Sequence, residues 1–422
     1  MFTYKSNELH CENVNLYQQA QITPTPFFCY SKAHITHQYT SLLHAFANAS
    51  QEVEIFYAVK SNDVLSIIQT LGKLGAGCDA TSAGEVYKCL KSGISPKQII
   101  FSGVGKSKED IQFAVESDIT NFNVESVAEL ELLQRIAALN HKTISVMTRV
   151  NLDVDANTHD KITTSRKGDK FGMDMETILQ AKELILSLKN IEWIGLAVHL
   201  GSQITDLSVY EQAFNKLAAF TKSLHLSGIN LQKIDFGGGL GIQYTDEKTI
   251  DITQYAKVIS KICKELKVKA VIEPGRFLVG NSGLLVSQVL YVKKADDKEL
   301  LVIDAGMNNI LRPALYEAVH QLASLKNDEI APMQEYEVVG PLCESGDKIV
   351  SHCQLPTMEL GDYIAIKSAG AYGSVMSSNY NAKPMVAEYL IEGDQFHLIR
   401  HAQSFADLIA RDINPLVIST KK

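Results

Sequence analysis

This sequence has no excess of basic residues. Lys and Arg total 40 against 48 Asp and Glu, a formal net charge of −8 over 422 residues, whereas a nucleic-acid binder is expected to show a basic face. Long apolar runs are missing too. None approaches the roughly 18 residues that span a bilayer, and the opening MFTYKSNELH lacks the apolar core of a secretory signal. These absences point to a cytoplasmic protein that engages neither nucleic acid nor membrane. Disulfide scaffolding is not expected, because seven cysteines are an odd number and no two stand at Cys-x-x-Cys spacing. No metal site is expected either, since no second histidine or carboxylate stands at ligand spacing from His199. Low-complexity tracts and long linkers are absent. The length exceeds one ordinary core, so one large barrel or two domains is expected.

What is present is a recurrence. Runs of strand character at Ile55–Lys60, Ala76–Ala80, Ile99–Ser102, Asn121–Val124, Ser145–Val150, Ile194–His199, Lys233–Phe236 and Ala270–Glu273 alternate with helical stretches. In Val127–Ala138 and Tyr210–Leu224 apolar residues recur at three and four. Eight β-then-α units are the number in a (β/α)8 TIM-type barrel; a doubly wound sheet is the alternative, because sequence does not show closure. From about Gly280 short β-rich runs take over, at Leu284–Val292, Leu300–Asp304, Glu335–Val339, Tyr363–Ile366, Glu388–Leu390 and Phe396–Arg400. The expected fold class is α/β: a barrel over residues 27–279 plus a C-terminal antiparallel β domain over 280–422, joined by residues 1–26.

Chemically capable residues cluster where the barrel strands end, the face on which barrel enzymes build their sites. Ile55-Phe-Tyr-Ala-Val-Lys-Ser-Asn62 reads as a strand covered on both faces that runs out at Lys60. An ammonium among apolar neighbours is costly unless it is used. A desolvated lysine of lowered pKa is the side chain that forms Schiff bases with aldehydes; a snorkelling strand-end lysine is the plainer alternative. Asp79, Arg149 and His199 end other strands, and His199 is followed by Gly201, Ser202 and Gln203, which suit a flat ring laid against a planar ligand. In Asp235-Phe-Gly-Gly-Gly-Leu-Gly241, the residues Gly237, Gly238 and Gly239 let backbone N–H groups approach an anion. Gly275 and Arg276, after the eighth strand, would complete a phosphate cradle; a tight turn is the simple alternative. Glu273 needs a cationic or donor partner, either Arg276 or a protonated pyridine nitrogen. Arg312 and Tyr316, four apart, suit capture of a carboxylate. Cys343 beside Glu344 is a thiol able to hand a proton to a carbanion. The loop from Gly370 to Pro384 offers Tyr372 as a hydroxyl donor.

Taken together, FYAVKSN, HLGSQ, DFGGGLG, EPGRFLV, NNILRPALYEAVH, CESGD and GAYGSVMSSNYN resemble, in order and over about residues 27 to 400, the barrel-type (fold type III) pyridoxal-phosphate decarboxylases. The resemblance implies an alanine-racemase-like barrel with pyridoxal 5'-phosphate as cofactor, working as a head-to-tail homodimer whose active sites are shared. It implies Lys60 as the cofactor-bearing lysine, Asp79 among the cofactor's contacts, His199 stacked on the ring and Glu273 at the pyridinium nitrogen. Gly237, Gly238, Gly239, Gly275, Arg276, Ser202 and Tyr372 would surround the phosphate. Arg276, Arg312 and Tyr316 would bind a substrate carboxylate remote from the chemistry, with Tyr372 also touching substrate. Cys343, as proton donor, and Glu344, at the distal amine, would enter from the partner subunit. Thr158–Gly172 resembles the family's mobile loop, with Ser165 where glycine, and Met173 just after it where isoleucine, are usual.

Arg312 with Glu344 fits an amino-acid substrate bearing both a carboxylate and an ammonium at its far end. Ornithine and arginine decarboxylases act on substrates that want an acidic pocket alone, whereas carboxynorspermidine also carries a carboxylate. A non-catalytic relative would have lost Lys60, Glu273 or Cys343, and all three are present.

Overall fold

The computed structural model describes residues 2–154, 168–295, 298–327 and 331–413. The chain divides into two compact units, one of Lys32–Ser282 with Gly370–Val375, the other of Met1–Ser31, Gly283–Ala369 and Met376–Lys422.

The first unit is a closed barrel of parallel strands. They are Val53–Ala58, Gly77–Ala80, Ile99–Phe101, Asn121–Val124, Ile144–Arg149, Ile191–Ala197, Lys233–Asp235 and Lys269–Ile272. The last strand pairs with the first, Ala270 with Val53 and Ile272 with Ile55, which closes the sheet and excludes the doubly wound alternative. Phe56, Ile100, Met147, Ile194, Ala197 and Val271 form one buried cluster drawn from the first, third, fifth, sixth and eighth strands. Short connections start the helices at once. Ser82, Ser107 and Ser126 cap Ala83–Lys91, Lys108–Glu116 and Val127–Leu139, each hydroxyl accepting a backbone N–H in the first turn. With so little chain between strand and helix, the residue that ends a strand is held at the rim. The seventh strand is fixed from outside by aromatics: Phe214 of helix Leu207–Leu226 lies 4.8 Å from Phe236, and Tyr210 lies 5.0 Å from Tyr255, centroid to centroid.

The second unit carries a sheet in the order Lys348–Pro356, Met333–Val339, Lys298–Ile303, Gly283–Ala295, Phe27–Ser31, Ala387–Glu392 and Gln395–Arg400. Tyr363–Ile366 pairs with Gly283–Ala295 and with Leu322–Ser324. Phe2–Lys5, Glu8–Cys11 and Val14–Asn15 form a separate small sheet. The large sheet is mixed rather than purely antiparallel: Lys298–Ile303 runs parallel to Met333–Val339, and Ala387–Glu392 parallel to Phe27–Ser31. Phe27–Ser31 therefore lies in this sheet, so the barrel unit begins at Lys32 rather than at residue 27. All of its residues are buried, so its pattern is that of a barrel strand and only pairing tells them apart. Lys348–Pro356 and Leu322–Ser324 had no counterpart in the sequence reading. No helix among the described residues is long and apolar enough to cross a membrane.

Candidate active site

The first barrel strand stops at Ala58, so Lys60 sits in a single 3-10 turn, Val59–Ser61, and not on the strand itself. Side chains lock that turn. The Ser61 hydroxyl donates to Ala58 O at 2.8 Å, the Tyr57 hydroxyl to Asn62 O at 2.8 Å, and Asn62 Nδ2 to Gly370 O at 3.0 Å. Lys60 Nζ lies 3.4 Å from Asp79 Oδ2, at the end of the second strand. Desolvation opposes the charge on Lys60, but Asp79, then Tyr372 and Glu273, outweigh it and hold the amine above the ordinary lysine range. This corrects the lowered pKa expected from the apolar strand: the Asp79 carboxylate that faces the amine decides its charge.

Glu273 and Asp235 are both buried, and Asn123 Nδ2 lies 3.0 Å from Glu273 Oε1 and 2.9 Å from Asp235 Oδ2. Burial first, then the charges of Asp235 and Asp79, push the Glu273 carboxyl well above the usual range. Burial raises Asp235 too, but that carboxylate also accepts the Gly237 N–H at 2.8 Å. Of the two, Glu273 is the one that keeps a proton. Arg276 is not the partner of Glu273. Its guanidinium donates to Ser202 Oγ at 3.0 Å and to the Tyr244 hydroxyl, and it lies 4.7 Å from the Tyr372 ring centroid. Tyr372 N–H in turn donates to Ser61 O at 2.8 Å.

His199 Nδ1 accepts the Gly238 N–H at 3.3 Å, which leaves the ring proton on Nε2. Burial, then Lys60 and Arg149, hold its pKa well below the usual value, so the imidazole is neutral. The N–H groups of Gly237 and Gly238 are thus committed to Asp235 and His199 rather than aimed outward as an anion cradle. Glycine is required here by crowding. A Cβ at Gly237 (φ +69°) would meet Val198 O, one at Gly238 would meet Glu273 O, and one at Gly239 (φ +97°) would lie 2.6 Å from Gly201 O. A Cβ at Gly275 would press on Ser61 and Ala58.

Lys60, Asn123, Arg149, Phe171, His199 and Glu273 line a cavity of about 380 Å³. At it or beside Lys60, Asp79 Oδ1, Asn123 Oδ1 and Arg149 Nη2 are buried without a hydrogen-bond partner among the described residues, and so is Arg276 Nε, which is not part of that lining. Arg149 Nη1 donates to Glu125 at 2.8 Å, its guanidinium lies 4.7 Å from the Phe171 ring centroid, and Glu125 accepts the Gly172 N–H at 2.7 Å. Asn123, Glu125, Asp235 and Tyr244 had no role in the sequence reading, and Arg149 was noted only by position. For all but Tyr244, which lies well beyond the seventh strand, the signal is a polar residue at or just after a barrel strand.

Arg312, Tyr316, Cys343 and Glu344 lie in the second unit. Arg312 is buried and opens the short helix Arg312–Tyr316, with Nη1 2.8 Å from His320 Nε2. Cys343 is exposed, its N–H donating to Asn381 Oδ1 at 2.9 Å, while Glu344 accepts from the Tyr380 hydroxyl at 3.3 Å. Residues 158–167 of the expected loop fall outside the described residues. Met173, just past that loop, pairs with the fifth strand through Met173 N–H to Arg149 O at 2.8 Å.

Residues 32–280 match the family model for the pyridoxal-binding domain of pyridoxal-dependent decarboxylases. The chain is 40% identical to the diaminopimelate decarboxylase of Neisseria meningitidis over 405 residues, 96% of this chain and 99% of that one. The diaminopimelate decarboxylase of Helicobacter pylori, solved in complex with L-lysine, is similar with a TM-score of 0.90 at 38% identity, covering 94% of this chain and 98% of that one. The M. jannaschii diaminopimelate decarboxylase, also with L-lysine, gives 0.93 at 34% identity, covering 99% and 98%. A closed barrel with a lysine and buried carboxyls at one mouth, matched to these relatives over almost its whole length, places the chain in the diaminopimelate decarboxylase family of pyridoxal-dependent decarboxylases.

Proposed function

We propose that this chain catalyses the pyridoxal-phosphate-dependent decarboxylation of meso-2,6-diaminopimelate to L-lysine and CO2, the last step of lysine biosynthesis. The observation that carries the reading is Lys60, an amine on a locked turn facing Asp79 and Glu273 in a barrel of this family. The residues fit the cofactor: the orphaned polar atoms of Asp79, Asn123, Arg149 and Arg276 are donors and acceptors of the kind a charged ring and a phosphate would satisfy.

When bound, pyridoxal phosphate supplies an aldehyde for the substrate amine and a protonated ring that takes up the electron pair left by CO2. Lys60 Nζ would hold the cofactor, beside Asp79. Glu273 keeps a proton on its carboxyl that it can give to a ring nitrogen, remaining as the carboxylate that pairs with it. His199 is neutral, so it can lie on a cationic ring without adding charge. Arg276, Ser202 and Tyr372 would hold the phosphate by donating, with Gly239 and Gly275 allowing its close approach, while Gly237 and Gly238 shape that loop through Asp235 and His199. Arg312 and Tyr316, with Arg276 and Tyr372, would bind the far carboxylate, and Glu344 the far ammonium. Cys343 Sγ would give the proton that replaces CO2 on the substrate carbon. Cys343 and Glu344 would act on the other chain of a homodimer, and the cytoplasm is the proposed location.

Purified protein supplied with pyridoxal phosphate and meso-diaminopimelate is expected to release lysine and CO2 in equal amounts. Lys60→Ala is expected to bind no cofactor covalently and to release neither. Turnover of ornithine, arginine or carboxynorspermidine in preference would overturn the substrate.

A further inference from the structure

His320 closes the segment that begins with Asn308 and carries Arg312, and no role above uses it. It is 1% exposed. Its Nδ1 lies 2.8 Å from Lys367 O and its Nε2 lies 2.8 Å from Arg312 Nη1. A carbonyl only accepts and a guanidinium only donates. The ring must therefore carry its proton on Nδ1 and accept at Nε2, and only this neutral tautomer satisfies both contacts.

The anchor is rigid. His320 and Lys367 lie just outside paired strands, Leu322 being opposite Ile366, and Lys367 N–H returns to Gln321 O at 2.8 Å. On the other side Pro313 stands in the first turn of the short helix, and Glu317 (φ +54°) reverses the chain so that His320 comes back to Arg312.

We propose that His320 is a positioning residue for the far carboxylate of the substrate, setting the Arg312 guanidinium before that carboxylate arrives. This rests on the reading that Arg312 binds that carboxylate. A free arginine side chain has many rotamers, and an acceptor fixed behind one Nη lowers the ordering that binding must impose. Because the acceptor is a neutral imidazole, it orients the guanidinium without neutralising the charge a carboxylate needs. A carboxylate partner in the same place would compete with the substrate.

The test uses holoenzyme and two ligands that share a diamine chain. L-lysine keeps the carboxylate in question, while cadaverine lacks it. His320→Ala is expected to raise Kd for L-lysine about tenfold, the scale of one charge-assisted hydrogen bond, with Kd for cadaverine and cofactor absorbance unchanged. In turnover it is expected to raise KM for diaminopimelate more than it lowers kcat. His320→Gln, whose amide can accept from Arg312 and donate to Lys367 O, is expected to recover most of the loss. In an Arg312→Ala background, His320→Ala should add nothing to the lysine-to-cadaverine ratio.

Equal weakening of both ligands, or an undiminished effect without Arg312, would overturn the proposal and leave His320 a structural residue. An unchanged ratio in Arg312→Ala alone would instead overturn the assignment of Arg312. If His320→Ala does not fold, His320→Asn and His320→Gln carry the same comparison.

Discussion

Lys106 and Lys60 both follow barrel strands, yet their ammonium groups meet different surroundings. The Lys106 side chain is fully buried and its ammonium donates to Gly103 O at 2.7 Å, Asn123 O at 2.8 Å and Glu129 at 2.6 Å, a saturated structural lysine. Lys60 is partly exposed on its cavity and, among the described residues, makes one longer contact, to Asp79. Lys60 directly ends an apolar run whereas Lys106 follows a glycine loop, but whether an amine is saturated depends on what faces it from other strands. Two predictions belong to single residues. Arg312→Ala is expected to lower kcat/KM for diaminopimelate by about two to four decades, since breaking a buried charge pair costs roughly 3–5 kcal/mol. Steady-state kinetics, with absorbance to show that cofactor binding survives, checks it. Gly237→Ala combines a positive φ with a Cβ driven onto Val198 O. It is expected to destabilise the protein by about 1–3 kcal/mol and to weaken pyridoxal phosphate binding, measured by denaturant unfolding and cofactor titration.

Among elements, the strand Met333–Val339 shows how pairing is reinforced by charge. It lies between Lys298–Ile303 and Lys348–Pro356, and its buried Glu337 takes Lys298 Nζ at 2.8 Å and Lys348 Nζ at 2.6 Å. Those hydrogen bonds hold the Glu337 carboxyl below its ordinary value. A depressed folded value gives stability that is present above the unfolded carboxylate pKa and is lost as pH falls through the folded one. Glu337→Gln is therefore expected to cost about 1 kcal/mol at neutral pH, with the difference from wild type vanishing in acid below the folded pKa. Parallel melts at neutral and acidic pH check it. Element identity was largely legible: the expected strands overlap the observed barrel strands to within about three residues at each end, because a strand buried on both faces announces itself locally. Phe27–Ser31 falls inside the expected barrel bound at residue 27 yet belongs to the other sheet, as burial on both faces does not say which sheet buries a strand. Lys348–Pro356 was missed because its interior is exposed and polar, as Ser351 and His352 show.

For the whole molecule, the proposed shared site has a consequence that no single chain displays. Lys60→Ala and Cys343→Ala are each expected to be nearly inactive, and the two mixed and allowed to exchange subunits should regain up to about a quarter of wild-type activity, because half of the dimers then hold one intact site. No recovery on mixing would place Cys343 at its own chain's site.

Much of the candidate site was legible as well. Lys60, His199, the glycine run and Glu273 were chosen because costly or permissive residue types stand at strand ends, and they surround one region of the barrel unit. What the sequence determined by itself was therefore local: which runs become strands, where helices are capped, where only glycine fits, and which residues end at the rim. Tertiary structure alone decided closure of the barrel and with it the electrostatics. Asp79, Asn123, Asp235 and Glu273 come from the ends of four different strands, yet only their convergence sets the Asp79 carboxylate against the Lys60 amine and leaves the proton on Glu273. The physical reason is distance. Periodicity is written between neighbours in the chain, whereas a pKa is set by charges a few ångströms away, whatever their separation in sequence.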